Sequence, residues 1–191
     1  MIHTILRLII PSLWIAWLIY WWISARNVKP VAREESARSS FSHHALLVIG
    51  GLLLGLPRMP GGILAGRFID PSLYQFSIAA CLVGLGLGFA VWARNYLGGN
   101  WSAAVAVKAG HELIRTGPYN YVRHPIYTGM LAALAGTALA VGEWRCLIGF
   151  ALAFAGLWRK LSLEEAWLAE IFGSQYGDYR ANVPALIPFL L

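Results

Sequence analysis

From Ser72 to Tyr96 the chain reads SLYQFSIAACLVGLGLGFAVWARNY, twenty-five residues with one charged side chain, Arg94. That run exceeds the roughly 20 apolar residues a transmembrane helix needs. Its Gly84-Leu85-Gly86-Leu87-Gly88 string lies inside the apolar helix with no preceding strand, so it is not a phosphate-binding loop. Upstream, Pro57, Pro60, Gly61 and Gly62 break the pattern, and before them Ala45 to Leu56 is apolar but short unless its flanks join it. The N-terminal run, with Trp14, Trp17, Trp21 and Trp22 interleaved, shows no small-x-small cleavage site near Ser24 and reads as a span rather than a signal peptide. Downstream, two apolar runs are separated only by Gly142, Glu143, Trp144 and Arg145 and form a hairpin. The prediction is an all-α integral membrane protein, one domain over residues 1–191, with five transmembrane helices near 5–24, 43–57, 72–96, 126–141 and 145–160.

Composition agrees. Of 191 residues, 58% are hydrophobic and 13% charged, about half the charge of a typical soluble domain, and mean hydropathy is +0.60. A soluble enzyme is excluded. Fifteen Lys and Arg against nine Asp and Glu give +6, but the basic residues avoid the apolar runs, which argues for membrane orientation rather than nucleic-acid binding. Eleven of them (Arg26, Lys29, Arg33, Arg38, Arg94, Lys108, Arg115, Arg123, Arg159, Lys160 and Arg180) fall on one side, and four (Arg7, Arg58, Arg67 and Arg145) on the other. Cytoplasmic loops carry the positive excess, so the N-terminus is expected outside and the C-terminus in the cytoplasm. Cys81 and Cys146 lack disulfide or metal-ligand spacing, and His43 and His44 are assigned no site. Small residues four apart, Gly51 and Gly55, Gly84 and Gly88, and Ala132, Gly136 and Ala140, are expected to let helices approach closely.

Polar residues able to do chemistry gather in two segments on the predicted cytoplasmic side, 97–127 and 159–180. The first contains NWSAAVAVKAGHELIRTGPYNYVRHPIYTG, Asn100 to Gly129, too polar to span and long enough to be a folded loop. Pro125 suits the first turn of the fourth helix, which puts His124 at its N-cap, near free backbone N–H groups. In the second segment Glu164 and Glu165 precede Trp167, Leu168, Ile171 and Phe172 at helical spacing, with Gly173 as the stop. This is an amphipathic helix emerging from the fifth span, with Lys160 and Glu164 one turn apart. Taken singly, the first motif starts a helix at a basic interface and the second is a solvated helix.

Together these residues resemble the isoprenylcysteine carboxyl methyltransferase family and its wider kin of membrane methyltransferases. The resemblance runs from about Leu97 to Pro188, through Gly110-His111-Glu112-Leu113-Ile114, Thr116-Gly117-Pro118-Tyr119, Arg123-His124-Pro125-Ile126-Tyr127-x-Gly129, Glu164-Glu165, Phe172-Gly173-x-x-Tyr176-x-x-Tyr179 and Val183-Pro184 with Pro188. It implies S-adenosylmethionine as cofactor, bound at the cytoplasmic face by His111, Glu112, Leu113, Ile114, Tyr119, His124, Pro125, Ile126 and Tyr127, with Glu164 on the far side. Physical chemistry agrees: aromatic faces attract a sulfonium or ammonium, and a carboxylate accepts from amino or ribose groups.

The implied acceptor is the carboxylate of a prenylated cysteine or a similar lipophilic molecule in the membrane, with no metal and no nucleic acid. Family members acting on that carboxylate carry an arginine one turn before the glutamate matching Glu164. Here the position is Lys160, beside Arg159, and lysine offers a point charge in place of the planar fork. Both are candidate acceptor-binding residues. Three alternatives stay open. A phospholipid-type N-methyltransferase would need a base such as His111 or a Glu. Membrane sterol and enone reductases share a similar hairpin and an HPxY-like motif but use NADPH. A non-catalytic membrane partner would keep the fold without turnover.

Overall fold

The computed structural model describes residues 2–26, 28–56, 62–102, 105–108 and 112–188. Its helices are α1 (Ile2–Ser24), α2 (Ala37–Gly55), α3 (Leu73–Leu97), α4 (Pro125–Val141), α5 (Trp144–Phe172) and α6 (Ser174–Asn182). Local chemistry accounts for their ends. Ser72 and Gln75 form a reciprocal capping box at the start of α3. Pro125 opens α4, and Gly142, at φ +70°, closes it in the left-handed conformation.

Among the described residues, two helices are long and apolar enough to cross a membrane, α3 continued to Asn100 and α5; Leu8–Ser24 and α4 are shorter apolar helices. Large apolar side chains cover the outside of the bundle: Leu18, Ile78 and Leu85 are all more than half exposed. Such a surface suits lipid better than water.

Two close helix pairs, α3 with α4 and α2 with α5, build the bundle. A methyl group added at Gly86 would sit 2.5 Å from the Gly129 carbonyl oxygen, and one at Gly136 2.8 Å from that of Ala79. Gly50 and Gly149 meet in the same way, at 2.6 Å and 2.8 Å from each other's carbonyl oxygens. Of the small residues expected at the contacts, Gly136 is there, as is Ala132, whose Cβ lies 3.1 Å from a methyl placed at Gly86. Gly51, Gly55 and Gly88 instead have open space where a side chain would be, and Gly84 only grazes Leu13. The reason is rotational: at 100° per residue, Gly86 faces away from both Gly84 and Gly88. Polar side chains add to the packing, Trp14 Nε1 donating to Thr137 Oγ1 at 3.0 Å and the Gln75 amide to the Leu139 carbonyl.

Among the described residues, the structure departs from an all-α expectation in a two-stranded sheet and an isolated bridge between Arg67 and Glu143. Residues Val31–Glu34 (β1) pair antiparallel with Ala106–Lys108 (β2), Val31 opposite Lys108 and Arg33 opposite Val107. With Lys29 N donating to Gly99 O and Glu35 N to Val105 O, this pairing joins the loop after α1 to the loop after α3 at one end of the bundle. At the other end, Phe68 N donates to Gly142 O and Trp144 N to Gly66 O. A strand of three or four residues, half polar, carries no periodicity long enough to read from sequence.

A second difference concerns the fifth helix. The expected span and the amphipathic segment are one continuous helix of 29 residues, about 43 Å long against a hydrocarbon layer of about 30 Å. Its last turns carry Glu164 and Glu165. Gly173, at φ +52°, stops it, and α6 turns back. The apolar tail then lies against the bundle, with Leu186 buried and its carbonyl accepting from Thr128 Oγ1 at 2.7 Å.

Candidate functional site

A cavity of about 240 Å³ opens at the end of the bundle that holds the last turns of α5. The loop after α3 contributes Glu112, Leu113, Ile114 and Tyr119 to its lining, and the start of α4 contributes His124, Ile126 and Tyr127. Lys160 and Glu164 line it from α5. The structure thus brings two segments far apart in sequence onto one space. Pro125 is fully buried and opens α4 without facing the cavity. His111 lies outside the described residues.

Arg159 is not part of the lining. It points to α2, its Nε donating to Ser42 Oγ at 2.5 Å and its Nη2 to Ser39 Oγ at 3.2 Å. Lys160, one residue on and rotated by 100°, is buried within the lining, its ammonium 5.6 Å from the centroid of the Tyr127 ring.

The neighbouring glutamates separate in the same way. Glu164 lines the cavity; it accepts from the Tyr127 hydroxyl at 2.5 Å, and its Oε2 is 3.6 Å from His124 Nδ1. Glu165 turns away from the cavity into a buried network. It accepts from Arg123 Nε at 2.7 Å, and its Oε1 lies 3.3 Å from His124 Nε2. Burial alone would raise the Glu165 pKa, but hydrogen bonds from His124 and Arg123 outweigh it and bring the carboxyl down to about 2. Arg123 also donates to the carbonyls of Arg180 and Val183. The N–H groups of Arg123 and His124 donate to the tail carbonyls of Pro184 and Ala185 at 2.8 Å and 3.0 Å. His124 is therefore fixed between both glutamates, its ring parallel to that of Tyr127 with centroids 5.5 Å apart.

Two tyrosines brace the floor. The Tyr179 hydroxyl donates to the Tyr119 carbonyl at 2.5 Å, and the Tyr119 hydroxyl contacts the Ala93 carbonyl at 3.5 Å. Burial raises the pKa of both phenols; the nearby Glu164 carboxylate adds to the effect at Tyr119, so both remain neutral donors.

Sequence reasoning missed part of the wall. Trp17 and Trp21 of α1 line the cavity, as do Leu47 of α2 and Trp101 after α3, all outside the motifs that carry the resemblance. Trp17 and Trp21 stack at 4.5 Å, Trp21 meets Trp101 edge-on at 5.4 Å, and the Arg94 guanidinium lies 4.5 Å over the Trp101 ring. Their four-residue spacing in α1 was a signal of a shared face, but an interfacial aromatic belt gives the same pattern.

Fold and site together define a helical membrane protein with a cavity sunk into one end of its bundle. The sequence model of the phospholipid methyltransferase family matches residues 74–175, more than half of the chain, and the chain belongs to that family. The protein-S-isoprenylcysteine O-methyltransferase of Schizosaccharomyces pombe is 35% identical over 125 residues, covering 62% of this chain and 51% of that protein. The Saccharomyces cerevisiae protein of the same name is 30% identical over 137 residues, covering 64% and 56%. The chain spans about half the length of these relatives. A solved structure of the eukaryotic intramembrane Ras methyltransferase, isoprenylcysteine carboxyl methyltransferase, aligns at a TM-score of 0.56 and 24% identity over 83% of this chain and 55% of that one, so the two share a fold. The resemblance carried by the motifs between Leu97 and Pro188 is borne out.

Proposed function

We propose that the chain is an S-adenosylmethionine-dependent methyltransferase whose acceptor is the carboxylate of a prenylated cysteine or a similar small lipophilic molecule. The observation that carries this reading is the pairing, in one cavity, of a carboxylate oriented by Tyr127 and His124 with a buried cation, Lys160, one turn away on α5. The cavity's donor set fits the cofactor. Glu112 and Glu164 offer oxygens to its amino and ribose groups, and the tyrosine and tryptophan faces suit its cationic centres. When bound, it supplies a methyl group carried on a sulfonium.

The chain's own residues have distinct tasks. Glu164 holds the cofactor, its rotamer fixed by the Tyr127 hydroxyl. Lys160 holds an anionic acceptor, and a carboxylate acceptor needs no proton removed. Trp17, Trp21 and Leu157 take the lipophilic part and exclude water, which strengthens every charge interaction inside. In the same reading the chain is one membrane domain crossing five times, N-terminus outside, with the cavity cytoplasmic. The eleven-to-four basic asymmetry and the gathering of the loops after α1 and α3 at one end support that layout.

The family's name favours one second reading, N-methylation of a phospholipid amine. An amine must lose a proton, and His124, lodged between Glu164 and Glu165, is the nearest base.

The test is calorimetric titration of the detergent-purified protein with S-adenosylhomocysteine, beside NADPH, repeated on Glu164→Ala. Micromolar binding of the first, lost in the variant, is expected. Binding of NADPH instead, or no binding by a folded sample, overturns the methyltransferase reading. Labelled methyl transfer to a farnesylated cysteine analogue, against an ethanolamine phospholipid, then separates the two acceptors.

A further inference from the structure

Trp167 is half-buried, lines the cavity, and is held by β1: the Arg33 guanidinium lies 4.4 Å over its ring while Arg33 Nη1 donates to both oxygens of Glu170 at 2.9 Å and 3.0 Å. Tyr127 instead stacks on His124, with Lys160 near its ring, and Trp17 and Trp21 stack on each other. Trp167 also follows Glu164 by three residues, placing both on one face of α5 near the C-terminal end of the helix. A carboxylate and an aromatic face about one turn apart match the spacing of a ribose and its base.

We infer that Trp167 is the stacking platform for the planar base of a nucleoside cofactor, and that Arg33 and Glu170 are positioning residues that fix the ring. The inference rests on the nucleoside cofactor proposed above and adds the residue that recognises its base. Stacking needs only a π-face, and loss of an aromatic platform weakens base binding by about tenfold or more. Arg33 acts through Trp167 alone, so its loss costs about twofold to fivefold.

The experiment is calorimetry on the detergent-purified full chain with S-adenosylhomocysteine, 5′-methylthioadenosine and homocysteine. Trp167→Ala is expected to weaken the first two by the same factor, about tenfold or more. Trp167→Phe retains binding within about threefold, and so serves as the control for folding. Arg33→Ala gives the intermediate loss for both nucleosides. Wild-type binding that Trp167→Ala leaves unchanged overturns the platform and leaves the methyltransferase reading standing. So does a loss confined to S-adenosylhomocysteine, with 5′-methylthioadenosine unaffected. No nucleoside binding by folded wild-type protein overturns both together.

Discussion

Replacing Glu165 with glutamine should unfold the protein more easily while leaving the cavity's chemistry in place, and replacing Glu164 should do the reverse. Glu165 accepts from Arg123 at 2.7 Å, lies 3.3 Å from His124 Nε2 and 3.7 Å from Arg180 Nε, and its side chain is 9% exposed. Held at about 2 against an ordinary 4.5, it contributes about 3 kcal/mol by linkage. Solvent on the exposed Arg180 side screens that to about 2 kcal/mol. Glu165→Gln should therefore lower Tm by roughly 4–8 °C at pH 7. The sign of the pH dependence follows from the depressed pKa: the contribution is full above the unfolded value and is lost as pH falls through the folded one. The gap between wild type and Glu165→Gln should be constant above about pH 5 and shrink to under half near pH 3. Glu164→Gln borders the cavity, where water can replace its oxygens. It should keep Tm within about 2 °C, equivalent to ~1 kcal/mol or less, while losing S-adenosylhomocysteine. Differential scanning fluorimetry in detergent from pH 7 to 3, with calorimetry at pH 7, reads both. An unchanged Tm in Glu165→Gln, or a gap undiminished at pH 3, would refute the assignment of Glu165 to a structural network.

Other outcomes follow from the same geometry. Gly86→Ala forces a methyl against the Gly129 carbonyl and should destabilise by about 1–3 kcal/mol, whereas Gly84→Ala, with room around it, should be neutral or better; thermal unfolding ranks them. Lys160→Ala should raise the acceptor KM with little change in cofactor affinity, while Arg159→Ala, directed at Ser39 and Ser42, should leave both unchanged in a labelled-methyl assay. Tyr179→Phe strands the buried Tyr119 carbonyl and should cost about 1–2 kcal/mol, seen as a lower Tm. A reporter that works only in the cytoplasm should be active when fused to the C-terminus and silent at the N-terminus; the opposite pattern reverses the orientation.

Much of the architecture was legible because bilayer thickness turns helix length into composition. The runs at 5–24, 43–57, 72–96 and 126–141 correspond to α1 through α4 to within a few residues except at the start of α2, which begins at Ala37, six residues earlier. That first turn and a half, Ala37 to Ser42, is polar at four of its six positions, and its Ser36 cap left no mark in an apolar count. The cavity wall was legible wherever it carried a motif: Glu112 to Ile114, Tyr119, His124, Ile126, Tyr127 and Glu164 all line it. The tryptophans of α1 did not announce themselves, since a ring at an interface and a ring facing a cavity share one sequence pattern.

From the sequence alone came the apolar runs, the gathering of the polar motifs into two segments, and the family resemblance, because each depends on residue type and spacing along the chain. Tertiary structure decided between neighbours. Glu164 faces the cavity and Glu165 a buried arginine; Lys160 lines the cavity and Arg159 grips α2; Gly86 closes a helix pair and Gly84 does not. Adjacent residues on a helix point about 100° apart, and only the packing of the other helices determines which of those directions meets the cavity, a partner or open space.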